Sequence, residues 1–369
     1  MKRSANLWFL ALVMLFVLYP DPSLSAQSQK IYFEEVRTPE GNPLGKVVAI
    51  TQDKLGFMWF ADESNRMLVR YDGSHMEYYR HDPDNPNSPG GLKPHDLYTS
   101  PSGDIWIGYL DDGGLDRFDP YTKTFTHYRH DPDDPESLAN NNVPSVFVDK
   151  DGMVWLATVA GLDRLDPTTG KFTHFSHDPN NTTSISSDVV WRTYEDLSGT
   201  LWMGTGLPFP GVPNFGGLNR FDRETGTFTR YLANPEDPSS LIGYKITAML
   251  EDSKGNFWVG TEGDGLHTLD RGTGRFTRHA FDPDHPEKLS RPALASMDYA
   301  FISFLLEDSA GQIWIGTVDN GINRYDPDSD KVTHFGKSSG FREDVVANDD
   351  WKSFQESNSA WCAYSGQDG

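Results

Sequence analysis

GQIWIGTVDNGINRYD (Gly311–Asp326) is a phrase that this chain writes again and again. GNFWVGTEGDGLHTLD (Gly255–Asp270) and GMVWLATVAGLDRLD (Gly152–Asp166) are near copies. Its Trp recurs as Trp59, Trp106, Trp155, Trp202, Trp258 and Trp314, at spacings of 47, 49, 47, 56 and 56 residues. Trp361 follows Trp314 by 47 residues, with Gln367–Gly369 standing where Asp319–Gly321 stands in the copy before. A unit repeated at such a period folds as an array in which each copy packs on its neighbours, so the seven phrases predict seven units, the last cut short.

Each copy reads as four short strands. Strand a is apolar and ends in an acidic turn closed by Gly, as in KITAMLEDSKG (Lys245–Gly255). Strand b is the Trp phrase, rich in β-branched residues. Strand c is GLDRFD (Gly114–Asp119) or GINRYD (Gly321–Asp326), followed by turn chemistry such as DPTTGK (Asp166–Lys171). Strand d is FTHY (Phe125–Tyr128), FTHF (Phe172–Phe175) or FTRY (Phe228–Tyr231). No stretch after Gln27 carries a convincing helical period. Four antiparallel strands per repeat of this length predict an all-β fold, a seven-bladed β-propeller with an incomplete last blade. The Trp packs blade on blade, and its recurrence argues against catalysis, since an enzyme needs one site. Phe33 precedes Trp59 by 26 residues, against 30 for Phe125 to Trp155, and so reads as a strand d that closes the ring on the seventh copy. Strand c of that copy is absent from the sequence.

Residues 1–26 stand apart. Lys2 and Arg3, an apolar run from Leu7 to Leu18 and small residues around Ala26 read as a secretory signal peptide; the run is short for a membrane span. No Cys follows it to take a lipid anchor, and no later segment is apolar enough to cross a membrane. The domain plan is therefore 1–26 leader and 27–369 propeller, periplasmic or secreted. The chain holds 54 acidic against 32 basic residues, a field that repels phosphate backbones and excludes nucleic acid as a partner. Cys362 is the only cysteine, so no internal disulfide can form.

QDKLGFMWFAD…RYDG (Gln52–Gly73), EDSAGQIWIGTVDNGINRYDP (Glu307–Pro327) and the linker HDPDDPESLANNNV (His130–Val143) resemble the two-component regulator propeller repeat. The resemblance runs from about Lys30 onward. It implies an exported ligand-sensing module of a bacterial two-component system, taken from the periplasmic region of hybrid histidine kinases. This sequence has no kinase His box, ATP-binding Gly-rich segment or receiver Asp, so no kinase activity carries over. Contact with downstream sensor parts or a homodimer fits such a module. The blade type is also similar to streptogramin lyase, an enzyme on a seven-bladed ring that needs a His base. Of the 11 histidines, His127, His174 and His334 share one strand-d position and His81, His130 and His177 one linker position. His279 and His285 belong to the same outer region, and His75 to a hairpin. Only His95 and His267 occupy inner strands, a weak basis for an enzyme.

HDPDNPNS (His81–Ser88) and HDPDDPES (His130–Ser137) look like calcium loops but lack the central Gly and distal Glu of an EF-hand, so they read as rigid linkers; no metal or cofactor is expected. GTG (Gly204–Gly206) is a blade turn, not a phosphate loop. Function is expected where copies depart from consensus. TGLPFPGVPNFGG (Thr205–Gly217) lengthens a b–c connection and offers Phe209 and Phe215. HPEKLSRPALASMDYA (His285–Ala300) enlarges a d–a linker on the same face. The start of strand a, eleven and ten residues before each Trp, is small or apolar in Val48–Ala49, Pro144–Ser145 and Thr247–Ala248, but is His95–Asp96 and Trp191–Arg192 in two copies. Acidic b–c loops with Asp111, Asp112, Glu262, Asp264 and Asp319 rim that mouth. Rings beside charged groups suit a small-molecule or oligosaccharide ligand. The alternative is that these residues fill the channel mouth with a salt bridge.

Overall fold

In the computed structural model, residues 36–208, 215–262, 265–279, 284–285, 301–318, 321–335 and 362–364 are described, all within one compact unit. Among them there is no helix, and hence none long and apolar enough to cross a membrane. The strands form six four-stranded antiparallel sheets, each in chain order from inner strand a to outer strand d. Blade one holds β1 (Val47–Gln52), β2 (Met58–Asp62), β3 (Met67–Tyr71) and β4 (Met76–Arg80). Blade two holds β5 (Pro94–Thr99), β6 (Ile105–Tyr109), β7 (Leu115–Asp119) and β8 (Thr124–Tyr128). Blade three holds β9 (Ser145–Val148), β10 (Val154–Thr158), β11 (Gly161–Asp166) and β12 (Lys171–Phe175). Blade four holds β13 (Val190–Glu195), β14 (Leu201–Thr205), β15 (Gly217–Asp222) and β16 (Thr227–Tyr231). Blade five holds β17 (Ile246–Glu251), β18 (Phe257–Thr261), β19 (Leu266–Asp270) and β20 (Arg275–His279). Blade six holds β21 (Ile302–Glu307), β22 (Ile313–Thr317), β23 (Gly321–Asp326) and β24 (Lys331–Phe335).

The propeller is therefore six-bladed, and the expected seven-bladed ring is corrected. Cys362–Tyr364 align with strand b of the seventh copy, yet they form no strand. Cys362 Sγ instead donates to the carbonyl of Val47 on β1 at 3.4 Å. Six sheets are what the described residues form, and the only described residues of the seventh copy, 362–364, carry no strand pairing. Trp361, the proposed closing strand at Phe33 and the leader lie outside the described residues.

Packing between blades follows from the Trp phrase. Trp59 meets Phe118 of blade two at 5.2 Å between ring centroids, Trp155 meets Phe221 of blade four at 5.2 Å, and Trp202 meets Phe257 of blade five at 4.7 Å. Each of these indoles is essentially sealed from water. The Gly after the Trp lets the next blade approach. A Cβ on Gly204 would lie 2.8 Å from the Cβ of Ile246, and one on Gly260 2.7 Å from that of Ile302.

Three hydrogen-bond motifs repeat with the blades. The Trp indole donates to an Asp carboxylate six residues earlier, for example Trp155 to Asp149 at 2.8 Å and Trp202 to Asp196 at 2.8 Å. The d–a linker closes on itself. His130 Nδ1 pairs with the Leu138 carbonyl at 2.7 Å, and Ser137 Oγ accepts from the Asp131 N–H at 2.9 Å. A buried polar residue of strand c then pins the linker: Asp116 accepts from Gly90 N–H at 2.7 Å, Asp163 from Ala139 N–H at 2.7 Å and Asn219 from Ser186 N–H at 2.9 Å.

Candidate functional site

Strand a carries the axial residues, and its start is irregular. In β1, β5, β13, β17 and β21 the pairing register shifts at one residue, which places Val48, His95, Trp191, Thr247 and Ser303 in a β-bulge. All of them stand eleven residues before their blade's Trp, as does Pro144 ahead of β9. A bulge re-aims the side chain it carries. Here it brings His95 of blade two against Trp191 of blade four, with ring centroids 5.3 Å apart and planes at 61°. Blade three lies between these two blades in the chain, so the contact spans the axis.

Arg192 ties the same cluster to its neighbours. Its Nη1 donates to the Pro144 carbonyl at 3.2 Å and its Nε to the Thr247 carbonyl at 3.1 Å. Its guanidinium lies 5.8 Å from the Trp191 ring centroid. Asp96 accepts from the Val146 N–H at 2.8 Å. No ion pair joins Arg192 to Asp96 among the described residues: each side chain is held by backbone instead. The salt bridge weighed as an alternative is thus replaced by two separate side-chain-to-backbone ties.

The electrostatics of the cluster follow from burial. His95 is only 8% exposed, and neither ring nitrogen has a hydrogen-bond partner. Burial, reinforced by the Arg192 charge, holds its pKa well below the ordinary imidazole value, so the ring is neutral. Burial also raises the Asp96 carboxyl, against the pull of Arg192. The Cys362 thiol, beside these charges, is pushed up to about 12 by burial and stays protonated. Thr247 Oγ1 is buried without a partner. The arrangement offers ring edges and hydrogen-bonding groups facing the axis. Among the described residues no group of three His, Cys, Asp or Glu can hold a metal.

Other residues of the predicted site fall elsewhere or are engaged. Phe215 is 45% exposed on its connection. Asp111 accepts from the Leu92 N–H at 2.6 Å, and Asp112 is exposed in the left-handed region at φ 66°. Glu262 is paired with Lys245 at 2.9 Å, which removes it from the acidic rim. Phe209, Asp264 and Asp319 lie outside the described residues, as does most of the enlarged linker at His285–Ala300. His267 takes the strand-c place of Asp116 and accepts from the Ile242 N–H at 3.0 Å, so it is a linker pin rather than a loose base. His127 and His174 bind Asp116 and Asp163 at 2.7 Å each and serve the same architecture. Thr247 and the Pro144 carbonyl belong to the cluster and were passed over as small or apolar; their position eleven before the Trp was the available signal.

Comparison with known proteins bears on this geometry. The family model for the two-component regulator propeller matches residues 137–160 and 240–263, each a linker, strand a and strand b. No curated protein sequence matches the chain. Among solved structures, the extracellular domain of a hybrid two-component system of B. thetaiotaomicron aligns at 25% identity with a TM-score of 0.63, over 82% of this chain and 36% of that one. The extracellular domain of a one-component system of the same organism aligns at 20% identity and TM-score 0.60, over 82% and 34%. Virginiamycin B lyase of Staphylococcus aureus aligns at 12% identity and TM-score 0.56, over 82% and 87%, a likeness of fold. The chain spans about a third of the sensor ectodomains it matches. With the matched repeats, these sensor domains support a signalling propeller module.

Proposed function

We propose that this chain is an exported, non-catalytic sensing propeller that binds a small neutral ligand, of carbohydrate type, at its axial cluster. The observation that carries this reading is His95, a neutral imidazole with two unpartnered nitrogens held against Trp191. Such a group costs stability unless a ligand supplies its hydrogen bonds. Trp191 and Arg192 add a ring and a donor of the kind that sugars use. Both rings are buried, so binding opens the cluster before filling it. Export through the leader at residues 1–26 goes with the extracellular origin of the similar sensor domains.

A neutral-glycan array followed by calorimetry tests the proposal. The parent should bind at least one neutral oligosaccharide, and Trp191→Ala and His95→Leu should each weaken it about tenfold while the protein stays folded. Equal binding by parent and His95→Leu rejects the site. Linearisation of a cyclic depsipeptide antibiotic should not occur; turnover by the parent would favour the lyase alternative. N-terminal sequencing of the mature secreted protein checks the leader, with cleavage expected near Ala26.

A further inference from the structure

Four d–a linkers lie along the outer edge of the blade they enter, where each covers the same edge N–H of strand d. Phe125 donates to Asn87 Oδ1 at 2.9 Å, and Phe172, Phe228 and Phe276 donate to the carbonyls of Glu136, Thr183 and Ser239 at 2.9, 2.8 and 2.8 Å. An outer strand left uncovered is a template for pairing with another chain. Two residues further along strand d stands the side chain that fastens the linker, and here the blades divide. Blades four and five use a guanidinium. Arg230 donates to the Ser184 and Asn181 carbonyls at 2.6 and 2.7 Å, and Arg278 to the Ser240 and Asp237 carbonyls at 2.8 and 2.6 Å. Blades two and three use an imidazole. His127 Nε2 meets the Pro86 carbonyl at 2.9 Å, and His174 Nε2 the Pro135 carbonyl at 3.0 Å.

The second nitrogen of each ring is committed as well. His127 Nδ1 lies 2.7 Å from Asp116 Oδ1 on β7, and His174 Nδ1 lies 2.7 Å from Asp163 Oδ1 on β11; both carboxyl groups are fully buried. A carbonyl oxygen can only accept, so holding both contacts takes two protons between each His and its Asp. Remove one, and a single proton is left for two acceptors. The buried carboxylate keeps it, since an unpaired charge there costs more than an unpaired carbonyl at the surface. Nε2 then faces the linker carbonyl lone pair to lone pair. The inner part of each linker stays pinned, because Gly90 N–H and the Tyr109 hydroxyl bind Asp116 Oδ2, and Ala139 N–H binds Asp163 Oδ2. The charged groups facing His127 are Asp116 and Arg129, whose Nη1 lies 3.4 Å from Asp116 Oδ1; His174 faces Asp163. The bond from Asp116 lifts His127 above the ordinary imidazole value, against burial and Arg129, and the bond from Asp163 lifts His174. An Arg side chain keeps its protons throughout.

We infer that His127 and His174 are pH-dependent clasps, which fasten the linkers over the outer edges of blades two and three only while both ring nitrogens are protonated. On losing a proton, each lets go of the linker tip at Pro86 or Pro135 and bares the edge of β8 or β12. The linkers of blades four and five stay fastened by arginine. An alkaline medium thus opens two neighbouring blade edges to strand pairing and leaves the next two closed. The device is separate from the axial cluster and stands or falls without it.

Amide hydrogen exchange of the full chain, corrected for intrinsic rates, tests this at pH about 6 and about 9, either side of the raised imidazole values. Protection of the Phe125 and Phe172 amides should fall severalfold between the two, while that of Phe228 and Phe276 should hold. His174→Arg copies the fastener of blades four and five and should make the Phe172 amide indifferent to pH. Nitrogen NMR shifts of the imidazoles in the parent give a reading that no folding defect can disturb: both nitrogens of both rings should be protonated at pH about 6. A neutral ring at that pH, or an equal loss of protection in all four blades, overturns the inference. So does a pH-dependent loss at Phe172 that persists in folded His174→Arg.

Discussion

The interblade Trp layer and the axial cluster are both built from buried rings, yet their polar groups are treated in opposite ways. Around Trp202 every polar group has a partner. Asp196 accepts from the indole, from Arg271 and from Ser198 and Thr200 of its own turn. Burial alone would raise that carboxyl, but the bonds from Ser198, Trp202 and Thr200 outweigh it and hold the group below the usual carboxylate range. Around His95 the ring nitrogens are buried and unpartnered. The Trp–Asp bond recurs in five of six blades, whereas the unpartnered groups of the axial position differ from copy to copy, an imidazole at His95 and a hydroxyl at Thr247. The repeated Trp–Asp bond satisfies its own polar groups, and the deviant His95 does not.

The comparison is broken most severely by removing a ring from the Trp layer. Trp155→Ala should destabilise the protein by about 3–5 kcal/mol, read as a fall in the thermal or denaturant midpoint. Asp196→Ala should cost about 2–3 kcal/mol, because it strands the buried Trp202 N–H and leaves Arg271 with Glu251 as its one carboxylate partner. Arg271 is partly exposed, which keeps the figure below that of a fully buried pair.

Acidity sharpens the contrast with a smaller effect. The Asp116 and Asp163 carboxylates raise the pKa of His127 and His174. Their contribution is complete below the unfolded value of about 6.5 and fades as pH rises through the folded values. His95 and His267 act in the other direction: burial lowers both, His267 to about 4. The unfolded chain binds more protons below pH about 6.5, so stability falls as pH drops from there toward about 4, the His267 value. His174→Asn should flatten the loss on the alkaline side, and His95→Leu should reduce the loss on the acid side. Denaturant melts across this range check both signs.

Much of the architecture was legible because the repeat fixes it. Period-two strands, the Gly after Trp and the Asp six before it recur often enough to define a blade, and the packing of Trp between sheets follows. The number of blades was not legible. Trp361 repeats the spacing of a strand-b phrase, but spacing alone does not show that a strand forms, and the described residues 362–364 of that copy form none. The position eleven before each Trp did mark the axial cluster, through His95 and Trp191. What sequence spacing did not reveal is that a bulge turns those residues to meet across the axis, or that Arg192 binds carbonyls rather than Asp96. His267 was missed as a linker pin because a nitrogen acceptor there does the work that an Asp or Asn oxygen does in sister blades.

The repeated Trp–Asp motif holds the fold, and the deviant axial cluster does not. Thermal melts of His95→Leu and Asp196→Ala, run side by side at neutral pH, test it directly. Leu removes two unsatisfied nitrogens and keeps an apolar side chain against Trp191, so His95→Leu should melt at or above the parent, by up to about 1 kcal/mol, while Asp196→Ala melts well below it. A His95→Leu protein that loses as much stability as Asp196→Ala would show that the axial cluster is part of the scaffold, and would contradict the account.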